Sequence, residues 1–193
     1  MKVSVIIPFV RPDGAKRCME AVKANAGISA DDYEILAEGD EDRIGCPKMV
    51  KKLVEQSRHE CVLFLGDDTY PYADFIKNAL DAMATLPDGW GMVGLNDLVH
   101  DGNILATHWL AHKNLLPLLD GEFFHTGYLH CFCDQELIFR CKALGRYTWC
   151  KDAMLYHDHP MLTGQGNDAD YKRVYSPELY RHDEELFKSR CKR

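Results

Sequence analysis

The sequence predicts an α/β domain with a mostly parallel central sheet, helices on both faces and a short C-terminal helical tail. Three observations carry that expectation. Between residues 3 and 95, β-branched runs alternate with segments of helical period, the pattern of β-α-β units with right-handed crossovers. Two of the first three strand ends are rich in carboxylates, at residues 38–42 and 66–69, and ligands in open α/β sheets sit beyond such ends. The chain's 193 residues suit one domain, which buries roughly 70% of its unfolded surface and needs no staples.

Each element follows from its residues. Val3-Ser4-Val5-Ile6-Ile7 is β-branched and stops at Pro8, so it reads as a buried strand. Asp13 is placed to cap a helix whose apolar positions are Ala15, Cys18, Met19, Val22 and Ala26. Tyr33-Glu34-Ile35-Leu36-Ala37 is the second strand, and Met49, Val50, Leu53 and Val54 mark a short helix. Cys61-Val62-Leu63-Phe64-Leu65 is apolar throughout, as a strand covered on both faces must be. Phe75, Ile76, Ala79, Leu80, Met83 and Leu86 repeat with helical period, and Met92-Val93-Gly94-Leu95 is the next strand.

The second half is less regular. Residues 104–109 read as a strand and 115–119 as a short helix. Asp134 opens a helix with Leu137, Ile138, Cys141 and Leu144 inward, closed by Gly145. Residues 147–159 read as strand with turns. A polar stretch at 163–170 then precedes a charged helix.

Composition narrows the function. Hydrophobic residues make up 46% and charged residues 27%, which excludes disorder as the main state. The 30 acidic and 23 basic residues give a net charge of −7. That argues against nucleic acid as a partner, which needs a cationic face. The first apolar run, 3–10, is broken by Ser4 and Pro8 and falls short of the roughly 20 residues of a membrane span. A soluble, cytoplasmic protein is expected. None of the eight cysteines forms a Cys-x-x-Cys pair, so reduced thiols are expected rather than a zinc knuckle.

Several constellations carry chemistry. Gly66-Asp67-Asp68-Thr69 follows an apolar strand. Adjacent acids there suit a turn, or the oxygen ligands that Mg²⁺ and Mn²⁺ prefer. In His157-Asp158-His159 both histidines fall on one face of a strand, which fits one or two imidazole ligands or an exposed strand end. Asp134 is a helix cap or a carboxylate base kept ionised by the helix dipole. His108 and His112 have the spacing of a zinc-protease helix but lack the glutamate that follows the first histidine. No nucleophilic aspartate follows the first strand, where Pro8-Phe9-Val10-Arg11 stands, and no P-loop is present.

In this order the motifs resemble a family-2 glycosyltransferase of the GT-A fold. Val3-Ser4-Val5-Ile6-Ile7-Pro8-Phe9 resembles that family's opening strand and nucleotide-contacting turn. Tyr33-Glu34-Ile35-Leu36 and the acids after it resemble the second strand and base-binding loop. Asp40 matches that loop's second acid, while Gly39 replaces the first and Glu38 precedes it. Phe64-Leu65-Gly66-Asp67-Asp68-Thr69 resembles the Asp-x-Asp region. Cys133-Asp134-Gln135-Glu136-Leu137 resembles the helix start that carries the catalytic base, with Cys133 in place of a common Glu. Asp152-Ala153-Met154-Leu155-Tyr156-His157 resembles the strand ending in a metal-binding histidine.

The resemblance covers roughly residues 2–160. It implies a GT-A-like (Rossmann-like) domain at 1–160 and a C-terminal flexible segment and helix at 161–193, a lid moving on Gly164 and Gly166. It implies an inverting, metal-dependent glycosyltransferase with Asp134 as general base. Pro8, Phe9, Arg11, Glu38, Asp40 and Asp67 would bind the donor, and Asp68 with His157 or His159 the cation, Mn²⁺ or Mg²⁺. Trp109, Phe124, Tyr128 and His130 would line the acceptor site. UDP-sugars are favoured over GDP-sugars as donor, and the acceptor is a glycan, lipid-linked or other hydroxyl. No Gln-x-x-Arg-Trp motif is present, so a processive synthase is not expected. Two alternatives stay open: a non-catalytic nucleotide-sugar or glycan-binding module on the same fold, and a zinc-dependent hydrolase built on the histidines.

Overall fold

Among the described residues, seven strands form one sheet, in the order β2-β1-β3-β6-β5-β7-β4. In chain sequence these are β1 (Val3–Phe9), β2 (Tyr33–Gly39), β3 (Cys61–Phe64), β4 (Thr69–Pro71), β5 (Met92–Asn96), β6 (Trp109–His112) and β7 (Tyr147–His157). The helices are α1 (Pro12–Asn25), α2 (Cys46–Gln56), α3 (Phe75–Met83), α4 (Cys133–Ala143), α5 (Ala169–Val174) and α6 (Pro177–Arg190). This computed structural model describes residues 1–159 and 169–191. The segment expected to move on Gly164 and Gly166 lies outside the described residues.

The direction of the strands explains where the site forms. β1 pairs parallel with β2 and β3, and β5 pairs parallel with β7. β6 lies between β3 and β5 and is antiparallel to both, so β3 and β5 themselves run the same way. β4 is an antiparallel edge strand on β7. The alternation in the sequence therefore predicts the direction of the first strands correctly but not their neighbours. β5 does not follow β3 in the sheet, because the chain returns through residues 97–108 without a helix. A parallel crossover generally needs one, so the return strand β6 is antiparallel.

Alternation along the buried strands feeds two cores. Val3, Val5 and Ile7 of β1 pack with Ala15, Cys18 and Val22 of α1 and Phe75, Ile76, Ala79 and Met83 of α3. Ile6 points the other way and joins Val50 and Leu53 of α2 and Leu137, Ile138 and Cys141 of α4. Helices thus cover both faces, as a two-sided apolar strand requires.

Some local expectations are corrected. The strand expected at 104–109 lies at Trp109–His112, and Ile104 is 74% exposed. Residues 101–105 instead turn back through Ile104 and Leu105 N–H bonds to the Asp101 carbonyl. Asp13 does not cap α1. Arg11 is the N-cap and Pro12 opens the helix, where its missing N–H costs nothing. The short helix expected at 115–119 is a 3₁₀ turn at Lys113–Leu118. None of the described helices is long and apolar enough to cross a membrane.

Candidate functional site

A cavity of about 400 Å³ opens at the carboxyl ends of the parallel strands. Its wall includes Pro8, Phe9 and Arg11 after β1, Asp40 after β2, and Gly66, Asp67 and Asp68 after β3. His157 closes β7 on the same rim, and Asp134 opens α4 there. Because β6 runs against its neighbours, its amino end reaches this rim. It delivers His108 to the cavity. His112 sits at the opposite end of β6, beside Cys61 at the start of β3. Four residues of strand separate the two by about 13 Å, so the zinc-protease arrangement of His108 and His112 is not formed.

The acidic turn holds itself together through Asp67. Its Oδ2 accepts the backbone N–H groups of Val10 and Arg11, each at 2.8 Å, and its Oδ1 takes the Arg11 guanidinium at 2.8 Å. Burial pushes the Asp67 carboxyl up, against the hydrogen bond from Val10 and the charge of Arg11. Gly14 allows this approach, since a Cβ there would lie 2.4 Å from the Asp67 carbonyl oxygen. Asp67 therefore ties the turn after β1 to β3, with Arg11 also stacked 4.7 Å over the Tyr171 ring of α5.

Asp68 faces the histidines. Its Oδ1 lies 3.6 Å from His157 Nε2, and its Oδ2 accepts the Tyr171 hydroxyl. Asp68, His108 and His157 each offer a ligand atom within 4.8 Å of the others. Burial works against the Asp68 charge, but His157, Tyr171 and His108 outweigh it and hold the carboxyl below its ordinary range. Burial and the neighbouring His157 push the His108 pKa down to about 3, leaving a neutral imidazole fit to coordinate. A Cβ on Gly66 would sit 2.7 Å from Asp68 Oδ1 and 3.4 Å from His108 Nε2. The bare glycine keeps this space clear. One carboxylate and two imidazoles are a donor set that suits a divalent cation, so the residues fit the expected metal.

His159 stands further along, with its ring 5.1 Å from that of His157 and 5.5 Å from that of Tyr171. It borders the cavity but is not part of the three-residue cluster. Among the two histidines left open by the sequence, His157 meets Asp68.

Asp134 is a half-buried residue in the first turn of α4. Phe132 occupies the N-cap in a left-handed conformation, and no side chain caps the helix. The cap reading of Asp134 therefore gives way to a carboxylate on the cavity wall. Burial raises its pKa to about 6, against the Gln135 N–H at 2.8 Å. That leaves it mainly ionised at neutral pH and still able to accept a proton.

Other expected residues are placed differently. Asp40 lines the cavity, but its two oxygens accept the N–H groups of Ile44 and Gly45 at 2.7 and 2.9 Å. Glu38 points to α2, where it pairs with Lys52 and Gln56, and is not on the cavity wall. Phe124 and His130 line the cavity. Trp109 and Tyr128 do not. Trp109 is fully buried against Phe123 and Phe124, and Tyr128 donates to Glu136 at 2.6 Å inside the core. Both support the wall from behind.

Asp97, His100 and Tyr171 carry little sequence signal and join the site through the returning loop and α5. Asp97 is nearly buried and accepts Thr107, His100 and His157 on one oxygen, at 2.9, 2.7 and 3.4 Å. Their polar types lie in stretches without periodicity, so no pattern marks them.

No protein-family model matches the chain, and no curated protein matches it. Solved structures do. The mannosyltransferase PcManGT from Pyrobaculum calidifontis, in complex with GDP-Man and Mn²⁺, is similar with a TM-score of 0.67 and 14% identity. The match covers 84% of this chain but only 58% of that one. TarS 1–349 from S. aureus in complex with UDP is similar at a TM-score of 0.62 and 14% identity, over 98% of this chain and 73% of that one. Its complex with UDP-GlcNAc gives 0.60 and 14%, over 98% and 71%. The fold is that of a GT-A-like glycosyltransferase. It is shared at an identity too low to carry activity by itself.

Proposed function

We propose that this chain transfers a sugar from a nucleotide-sugar donor to an acceptor hydroxyl, with inversion. One observation carries the reading: the Asp134 carboxylate and the Asp68/His157 pair line a single cavity at the carboxyl ends of the parallel strands. A leaving diphosphate and an acceptor hydroxyl need those two groups of opposite role within one site.

The donor's nucleotide lies against the turn of Pro8, Phe9 and Arg11, which Asp67 holds to β3. Asp68 and His157 would hold a divalent cation, which when bound neutralises the diphosphate charge as a Lewis acid. The acceptor lies toward Phe124 and His130, whose apolar and polar faces suit a sugar ring. Asp134 takes the proton of the acceptor hydroxyl. The acceptor oxygen bonds to the anomeric carbon while the bond from that carbon to the diphosphate oxygen breaks. A single displacement of this kind inverts the carbon.

The neighbours in complex with GDP-Man, UDP and UDP-GlcNAc support a nucleoside diphosphate as donor carrier. We take UDP-sugars as the first class to test, with GDP-sugars beside them. The test is release of nucleoside diphosphate from each donor with Mn²⁺ and a panel of glycan acceptors. Turnover by the wild type and its loss in Asp134→Asn, with donor binding kept, supports the reading. Equal loss of turnover and donor binding in that variant sinks Asp134 as base.

A further inference from the structure

The buried Asp97 anchors a hydrogen-bond relay that orients the rings of His108 and His157. An ionised carboxylate only accepts hydrogen bonds. Asp97 Oδ2 therefore takes the Thr107 hydroxyl proton, at 2.9 Å. Having donated its one proton, the Thr107 oxygen accepts from its other neighbour, His108 Nδ1, at 2.9 Å. His157 Nδ1 reaches the same Asp97 oxygen at 3.4 Å and donates to it. Both rings thus turn Nδ1 toward this relay and Nε2 toward Asp68. His157 Nε2 points at Asp68 Oδ1 from 3.6 Å, and His108 Nε2 borders the space that Gly66 leaves open beside the same oxygen. The two rings meet edge to face, with centroids 4.8 Å apart.

The fold builds this relay for a reason of topology. Asp97 directly follows β5 and Thr107 and His108 directly precede β6, so the two ends of the returning loop bring the three together at the rim. The Leu95 N–H bond to the His108 carbonyl, 3.0 Å, locks that register. Backbone N–H groups of Val99 and His100 hold the other Asp97 oxygen at 3.0 and 2.9 Å. Asp97 is thereby fixed from both sides before any ligand arrives.

From this geometry we infer that Asp68, His108 and His157 form a complete three-ligand site, oriented by Asp97 through Thr107, that takes a first-row transition-metal ion before any nucleotide binds. Two imidazoles and one carboxylate favour Mn²⁺, Co²⁺ or Zn²⁺ over Mg²⁺, which prefers oxygen and keeps its waters. The Asp97 relay is the carboxylate–histidine support that metal-binding imidazoles use to fix ring and tautomer. Asp97 and Thr107 are positioning residues, and His108 is the added ligand. The inference goes beyond the donor reading, since it concerns metal taken up alone.

The experiment uses the full chain, stripped with EDTA, desalted and free of nucleotide. It is titrated calorimetrically with Co²⁺, Mn²⁺ and Mg²⁺ chlorides, and Co²⁺ is followed by its visible absorption. One equivalent of Co²⁺ is expected to bind without nucleotide, with Mg²⁺ at least about tenfold weaker. His108→Phe abolishes the Co²⁺ spectrum. Thr107→Val weakens Co²⁺ by about 10- to 100-fold, and Thr107→Ser restores it, because only the hydroxyl matters. Melting of each variant in EDTA confirms that the fold is kept. Co²⁺ bound only when UDP or GDP is present overturns the inference and leaves the donor reading standing. So does Co²⁺ affinity equal in wild type, His108→Phe and Thr107→Val.

Discussion

Replacing Asp134 by Asn is predicted to stabilise the protein and silence it at the same time. Burial raises the Asp134 carboxyl from its ordinary 3.8 to about 6. Two powers of ten in acid dissociation correspond to about 3 kcal/mol when the group is fully ionised. Water entering the open cavity screens part of this, so a cost of about 1–3 kcal/mol is expected. The sign follows from proton uptake. Between pH 4 and 6 the folded chain holds a proton that the unfolded chain has lost, so stability falls as pH rises through that window. Above about pH 6 the cost is complete, and below about pH 4 it is absent. Asparagine has no proton to lose. Asp134→Asn should therefore melt roughly 2–12 °C higher than wild type at pH 8 and close to it at pH 4.5. The assay is thermal melting of both proteins in EDTA at the two pH values. Turnover is measured in parallel and should fall by about 10²- to 10⁴-fold. A melting difference of the same size at both pH values, or a wild type more stable at pH 8, refutes the buried-base argument.

The remaining predictions concern the surroundings. With Asp134 as base, kcat/KM should fall tenfold per pH unit below about pH 6; a flat profile down to pH 5 contradicts the assignment. Gly66→Ala puts a Cβ 2.7 Å from Asp68 Oδ1, so Mn²⁺-dependent nucleotide binding should drop while the melting temperature without metal stays near wild type. Asp68→Ala and His157→Ala should each abolish the Mn²⁺ dependence of donor binding, read by calorimetry. His159→Ala should not, since His159 stands outside the cluster. Asp183, fully buried on α6, accepts the N–H groups of Leu129, His130 and Cys131 at 2.9, 2.8 and 2.7 Å. Asp183→Ala leaves all three unpaired and should cost about 3–5 kcal/mol in urea unfolding.

The first half of the chain was legible because its strands are continuous β-branched runs and its helices carry clean periods. Val3 to Ile7, Cys61 to Leu65 and Phe75 to Met83 fall where their patterns put them. The acidic turn at Asp67 and Asp68 was legible as a candidate, since two acids after an apolar strand suit a turn or a cation, and the fold puts both on the cavity wall. The direction of β6 was not, because Trp109-Leu110-Ala111-His112 is apolar whichever way it runs. That one reversal moves His108 into the site and removes His112 from it. Nor does sequence tell an aromatic wall from the core behind it. Phe124 reaches the cavity, while Trp109 and Tyr128, of the same apolar character, pack beneath. Asp97 and Tyr171 act through partners far along the chain, Asp97 on His157 and Tyr171 on Asp68. Only the folded contacts reveal them.

The central claim is a nucleotide-sugar donor held in this cavity, and calorimetry of UDP and GDP tests it most directly. Each is titrated into wild type and into Asp68→Ala, with and without Mn²⁺. The account predicts saturable binding of at least one of them to wild type, strengthened by Mn²⁺, with the Mn²⁺ effect lost in Asp68→Ala. Binding that is absent with both nucleotides, or that Mn²⁺ strengthens equally in wild type and Asp68→Ala, contradicts it.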